Sequence, residues 1–437
     1  MTATLTAQKP DPPVPGKRGL QTFKALRYRN YRLLWISLIV SAIGTWTQIV
    51  AQSLLVLDLT HNSAPALGIV SLAQAASFFL FALIGGSIAD QADKRRFLLF
   101  TQSLSMCLAL LLGILTISGV IQVWMIVILA FCSGTVLSFD QPARSSLVPI
   151  LVPQEDLMNA ISLQSIVFNG SAFIGPTLAG IGIGIFEFAG KKLGLGGSHL
   201  GYAGNFFFNA VSFLGVLFVL YQLRLSAEEM QRSTAKRGPL LGSIGASLRV
   251  VGKDAALPWV LSGYGAMLFF GPSTSLILPI FSRQILHLSP FELGLLFSAS
   301  GLGIILGALL IASLGNVRYK GVLLLSSFLL WTGALFLFAF SQVLWLSILA
   351  LLLLGIGQNG IGATTMTLLQ TRVPPQMRGR VMSLNTLLVM GFRPLGDFPA
   401  SGLISLIGGP FTVLLSGAIV GCYSIFLLLG RPVVRSL

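Results

Sequence analysis

An all-α membrane protein, with twelve transmembrane helices in two pseudo-symmetric six-helix bundles, is predicted by three observations. The first is composition: hydrophobic residues make up 54% of the 437-residue chain and charged residues 9%. A soluble domain carries about 25% charged residues, so this chain has too little polar surface to dissolve. The second is spacing. A hydrocarbon core about 30 Å thick takes about 20 apolar residues per helix. Twelve such runs follow one another at 31–57, 66–89, 97–118, 121–139, 157–186, 203–222, 256–282, 291–314, 321–340, 343–370, 381–408 and 410–430. The third is an internal echo. Gly68 to Ile88, followed by the basic turn through Lys94, Arg95 and Arg96, returns 226 residues later as Gly294 to Leu314, followed by Arg318 and Lys320. At an offset of 221, Val152-Pro153 and Gly175-Pro176 match Val373-Pro374 and Gly396-Asp397. Repeated topology in so apolar a chain is the organisation of a two-halved membrane transporter.

Taken in order, residues 1–22 are polar and rich in proline (Pro10, Pro12, Pro13, Pro15), which predicts a disordered cytoplasmic tail with no cleavable signal. Residues 23–222 form the N-terminal bundle. The stretch 223–255 holds Arg224, Glu228, Glu229, Arg232, Lys236, Arg237, Arg249 and Lys253; as the longest polar interruption after the tail, it divides the chain six plus six. Residues 256–430 form the second bundle, and 431–437 a short cytoplasmic tail.

With an even number of spans both termini lie on one side and the loops alternate. Lys and Arg divide 24 to 3 between the two sides, the three being Lys191, Lys192 and Arg283, with Arg393 left inside a span. Basic loops stay in the cytoplasm, so both termini are expected inside the bacterial cytoplasmic membrane. The net charge of +15 therefore reflects this topology and not nucleic-acid binding, since the cations sit in short loops rather than on one amphipathic face. Cys107, Cys132 and Cys422 are scattered through apolar runs, which fits neither a disulfide framework nor a metal site. No cofactor is expected. The tryptophans mostly fall near span ends, as interfacial anchors do.

Between spans 2 and 3 the chain reads Gly86-Ser87-Ile88-Ala89-Asp90-Gln91-Ala92-Asp93-Lys94-Arg95-Arg96. A glycine one turn before a helix end permits close helix approach, and an aspartate at the membrane surface can face a helix N-terminus. This stretch resembles the loop 2–3 signature of the major facilitator superfamily, with Asp93 in place of the usual second glycine. The turn expected after span 4, Asp140-Gln141-Pro142-Ala143-Arg144 onward to Pro149, is similar to the same turn in the branch holding the enterobactin exporter and macrolide-type efflux proteins. The resemblance implies a conformational latch formed by Gly86, Asp90, Lys94, Arg95, Asp140 and Arg144, in which Asp140 could pair with Lys94 or Arg95. It runs over residues 23–430 and is strongest between 66 and 185. The superfamily's arginine motif on span 4 is not evident, since Ala130 stands where a match to Gly134 would place it. On span 5, Gly175, Pro176 and Gly180 resemble the glycine–proline motif of exporters. Small residues there allow tight packing, and a mid-span proline bends the helix.

Span 11 carries Arg393 and Asp397. Counting from Val381 at about 1.5 Å per residue, they fall about 18 and 24 Å along, and their i, i+4 spacing places them on one face. Charges at that depth are costly and mark a pathway by default; the alternative is a self-neutralised pair that only packs the helix. The related branch has small or apolar residues here, so the pair departs from its pattern. Asp397 is the leading carboxylate for proton coupling. Gln48, Gln52 and Gln164 are the first choices among polar residues for lining the same cavity, while Asp58 reads as a helix-end charge.

The resemblance implies a secondary active exporter of a small organic molecule (a siderophore, drug or similar amphiphile), working by alternating access, coupled to protons and acting as a monomer in the bilayer. The alternatives are an uptake permease or lysolipid flippase of the same fold, and a membrane receptor or scaffold that moves nothing. An enzyme is not supported: His61, His199 and His287 are scattered among outer loops, and no HExxH or serine with a plausible base is present.

Overall fold

The computed structural model describes residues 21–91, 93–194, 197–223, 245, 249–315, 319–374, 377–378, 381–382, 385 and 388–437. Most of the expected N-terminal tail and of the 223–255 loop lies outside the described residues. So do the Asp90 side chain and the packing of Gly86.

The helices are α1 (Arg29–Leu59), α2 (Ala64–Gln91), α3 (Lys94–Ile117), α4 (Val123–Leu151), α5 (Leu157–Leu193) and α6 (Gly197–Gln222), then α7 (Leu257–Phe270), α8 (Thr274–Gln284), α9 (Pro290–Leu314), α10 (Lys320–Ala339), α11 (Leu344–Arg372), α12 (Arg393–Ile407) and α13 (Gly409–Gly430). Eleven segments among the described residues are long and apolar enough to cross a membrane, α7 and α8 together making one of them. The remaining predicted span, 381–408, is described as a π turn at Leu388–Phe392 running into α12.

Two spans depart from the sequence expectation. The seventh is broken at Gly271-Pro272-Ser273. Proline has no N–H to continue the helical ladder, and the Ser273 hydroxyl restarts it by accepting the Leu276 N–H at 3.2 Å, as an N-cap does. The fourth span does not turn at Asp140 but stays helical to Leu151, through Pro142 and Pro149. Pro142 cannot donate to the Ser138 carbonyl, and α2 packs closely on that freed carbonyl: a Cβ on Gly85 would lie 2.5 Å from it. Gly85 is thus one described contact of α2 with α4.

Lipid tails give apolar helices no hydrophobic reason to associate, so close backbone packing at small residues carries the fold. In the N-terminal half α2 lies on α4, α3 on α6, and α1 on α5 and α6; in the C-terminal half α9 lies on α11 and α10 on α11 and α13. The two halves repeat the same joint. A Cβ on Gly134 would sit 2.3 Å from the Gln74 carbonyl, and one on Gly355, 221 residues later, 2.4 Å from that of Ser300. Between the halves, α5 packs on α9 and α2 on α12. Under the internal echo these are one contact made twice, spans 2 and 5 exchanging roles with spans 8 and 11.

Candidate functional site

The end of the bundle where α1 begins, next to Lys94 and Arg95 of α3, is here the basic end; the far end carries Asp58 and Arg283. The hydrogen bonds and the ion pair seen between the two halves lie in the far half. Asp58, at the last turn of α1, pairs with Arg283 of α8 at 3.0 Å. The buried Tyr202 of α6 donates its hydroxyl to the other Asp58 oxygen and accepts from Arg283 at 3.2 Å. Gln284 donates to the Asn62 carbonyl at 2.8 Å. Deeper, the Thr177 and Ser298 hydroxyls meet at 2.6 Å, and Ser298 also donates to the Phe173 carbonyl.

Glycines make this closure possible. A Cβ on Gly180 would lie 2.5 Å from the Pro290 carbonyl, and one on Gly294 2.5 Å from that of Pro176. Gly180 and Pro176 of the exporter-type motif therefore sit at the contact between the halves. Gly175 instead faces α1, where a Cβ would meet that of Trp46 at 2.5 Å. On the other side of the molecule Gly68 of α2 abuts Ser401 of α12, and Gly391 abuts the Phe79 ring.

At the basic end the ion pairs among the described residues run within each half. Asp156, before α5, takes Lys24 at 2.7 Å and Arg27 at 2.8 Å, and the Tyr28 hydroxyl at 2.8 Å. Asp254, before α7, takes Arg372 at 3.0 Å and the Ala256 and Leu257 N–H groups at 2.8 and 3.0 Å. Burial pushes the Asp254 carboxyl up, but those two amides and the Arg372 guanidinium outweigh it and hold the group below its ordinary range.

The expected latch residues are arranged differently from the sequence reading. Asp140 does not meet Lys94 or Arg95; it pairs with Arg144 one turn on, at 2.6 Å, because α4 continues as a helix there. The buried Asp140 also accepts from Thr101 at 2.9 Å and Gln102 at 2.6 Å. Arg95 donates to the Leu220 and Tyr221 carbonyls at 2.8 and 2.5 Å, where a cation complements the C-terminal end of α6. Lys94 is buried at the head of α3. Asp90 and Gly86 cannot be placed in the latch, the Asp90 side chain and the packing of Gly86 lying outside what the structure describes.

Arg393 and Asp397 share a face of α12 but take different partners. Asp397, 3% exposed, accepts the Ser273 N–H at 2.8 Å, so a carboxylate sits at the positive head of half-helix α8. Gly396 lets α12 come this close, since a Cβ there would overlap the Phe269 carbonyl of α7. Arg393 donates to Gln358 of α11 at 3.3 Å. Of the three candidate glutamines, Gln48 is bound to Asn209 of α6 at 2.6 Å. Gln52 and Gln164 are half-buried.

A family model described as transmembrane secretion effector matches residues 20–428. The chain belongs to that family of major facilitator transporters. It is 23% identical over 388 residues to the staphyloferrin A transporter of Staphylococcus aureus, covering 88% of this chain and 90% of that one. It is 21% identical to macrolide efflux protein A of Streptococcus pyogenes, covering 91% and 96%. In fold it is similar to the solved structure of a bacterial homolog of the human lysosomal transporter Spinster, with a TM-score of 0.70, 15% identity, and coverage of 93% and 98%. The protein is a multi-pass membrane transporter of small molecules and not an enzyme.

Proposed function

We propose that this transporter exports a small organic molecule from the cytoplasm by alternating access, in exchange for protons, as a monomer in the bacterial cytoplasmic membrane with both termini inside. The observation that carries this reading is the asymmetry of closure among the described residues: the halves are joined across the far end, while the described ion pairs at the basic end lie within each half. With the basic end in the cytoplasm, as the 24-to-3 charge split argues, this is the state that takes cargo from inside. Rocking of the halves against each other would part α5 from α9 toward their far ends, break the Asp58–Arg283 pair and open the far side.

Arg393, Asp397, Gln52 and Gln164 are the proposed pathway residues, and Gln48 contributes through its bond to Asn209. Asp397 is the proposed proton carrier. Protonation would weaken its hold on the head of α8 and loosen the joint between α12 and the broken span, coupling a proton to movement of the gate-bearing half-helix. Gly86, Asp90, Lys94, Arg95, Asp140 and Arg144 are the proposed latch of the alternate state.

Everted vesicles test the reading. Acidified inside, vesicles with wild-type protein are expected to release protons when an exported compound is added outside, seen as recovery of a quenched pH-sensitive dye. Asp397→Asn, expressed to the same level, is expected to lose that signal. Unchanged coupling in Asp397→Asn would remove the carboxylate from the mechanism, and uptake into right-side-out cells would overturn the direction.

A further inference from the structure

The remaining question is what kind of cargo this pathway accepts, and Arg393 bears on it. It is the one basic side chain that the sequence sets deep within a span. A cation at that depth is expected to be paired, and its neighbour Asp397 stands one turn away on the same helix face. Yet Asp397 spends a carboxylate oxygen on the Ser273 N–H, and its contact with Arg393 is through space only. Among the described residues Arg393 keeps one long bond, Nη2 to the neutral Gln358 amide oxygen at 3.3 Å, while its Nε is buried with no described partner. The other titratable group within its electrostatic reach is Tyr264 of α7. Gly362 faces the Tyr264 hydroxyl, and a Cβ there would stand 3.6 Å away, an ordinary contact.

An arginine presents a planar fork of five N–H donors and no acceptor. Left with one weak neutral partner and a bare Nε, it has a carboxylate within electrostatic reach but none in hydrogen-bond contact. A bound carboxylate, phosphate or sulfonate supplies charge and hydrogen bonds together, since two of its oxygens can take Nε and Nη in parallel. We infer that Arg393 is the recognition point for an oxyanion on the cargo, so that the exported molecule carries a negative group that docks between α7, α11 and α12. Asp397 serves this site by its engagement elsewhere: with the carboxylate held at the head of α8, the guanidinium is left for the ligand. The inference rests on the export reading above and narrows it to acidic cargo.

The test works on whatever compound the cell exports. Cells expressing the full chain and cells lacking it are grown in parallel, and compounds enriched in the medium by the transporter are passed over an anion exchanger at pH 7. The expected result is that the enriched compounds are retained, that is, anionic. Neutral or cationic enriched compounds would overturn the inference while leaving export standing; no enrichment would overturn export and the inference with it. The identified acid and its methyl ester are then compared in everted vesicles. Wild-type protein is expected to prefer the acid by about 10- to 100-fold, the range for losing charge-assisted hydrogen bonds. Arg393→Gln should erase that preference, and Arg393→Lys should keep part of it. Equal transport of acid and ester by wild-type protein, or an undiminished preference in a folded Arg393→Gln variant, would contradict the assignment. Melting temperature in detergent and amount in the membrane identify any variant that fails to fold, in which case Arg393→Lys carries the comparison.

Discussion

The two ends of this molecule hold themselves together in opposite ways. At the far end a charge from one half meets a charge from the other, Asp58 with Arg283. At the basic end, among the described residues, each half closes on itself, Asp156 with Lys24 and Arg27 in one and Asp254 with Arg372 in the other. The difference separates two jobs. Bonds within a half keep a six-helix body rigid, whereas bonds between halves exist in one state of the cycle and must be cheap to break. The far-end pair meets that need, because a half-exposed ion pair is worth only about 0.2–1 kcal/mol. The Asp140–Arg144 pair is of the other kind, since its carboxylate is buried beside a part-exposed arginine and removing that arginine would leave an uncompensated buried charge, at a cost of about 3 kcal/mol.

Breaking the distinction should therefore have graded consequences. The largest is expected for Gly294→Leu. Its side chain would run into the Pro176 carbonyl, so the halves could not close at the far end. Export should fall by about tenfold or more, as overpacking costs of about 1–3 kcal/mol imply. Spin labels at His61→Cys and His287→Cys, in a background free of Cys107, Cys132 and Cys422, should lie farther apart than in the unsubstituted gate. Next is Arg144→Gln, which strands a buried carboxylate within one half. It should lower thermal stability by an amount equivalent to about 3 kcal/mol with the label distance unchanged; a moved distance with unchanged stability would place Asp140 in the gate.

A smaller effect is expected for Asp58→Asn. Losing up to about 1 kcal/mol shifts the ratio of far-closed to far-open molecules by about fivefold, readable in the same label distances, with the melting temperature nearly constant. The smallest belongs to Asp254. Its folded carboxyl is held below its ordinary value, so its stabilisation is present above the unfolded pKa and is lost as pH falls through the folded one. Asp254→Asn should flatten the acid limb of a pH–melting curve and leave the neutral limb lower.

Much of this is legible in the chain itself. Twelve apolar runs and the 24-to-3 charge split place the spans, because in a bilayer composition alone decides what crosses. Gly175, Pro176 and Gly180 are legible as packing positions, though only the fold shows that the first faces α1 and the others the opposite half. The gate is not legible. Asp58 reads as a helix-end charge because its partner is 225 residues away. The signal is nevertheless present, since that separation nearly equals the 226-residue echo. Opposite charges at matching ends of spans 1 and 7 face each other across the pseudo-twofold axis. Helix 4 misleads in a different way: a segment with Pro142 and Pro149 reads as a turn, but the Arg144–Asp140 pair and the freed Ser138 carbonyl against Gly85 keep it in a helix. Gln48 reads as a cavity group for lack of its partner, Asn209, 161 residues on.

The central claim is that cargo leaves only when the halves part at the far end. Thr177 and Ser298 face each other across that contact with their hydroxyls 2.6 Å apart, close enough for a disulfide once both are cysteine. In a protein without its three native cysteines, Thr177→Cys with Ser298→Cys should cross-link under oxidation and stop export, and a reducing agent should restore it. Export that continues with the bond closed would contradict the account.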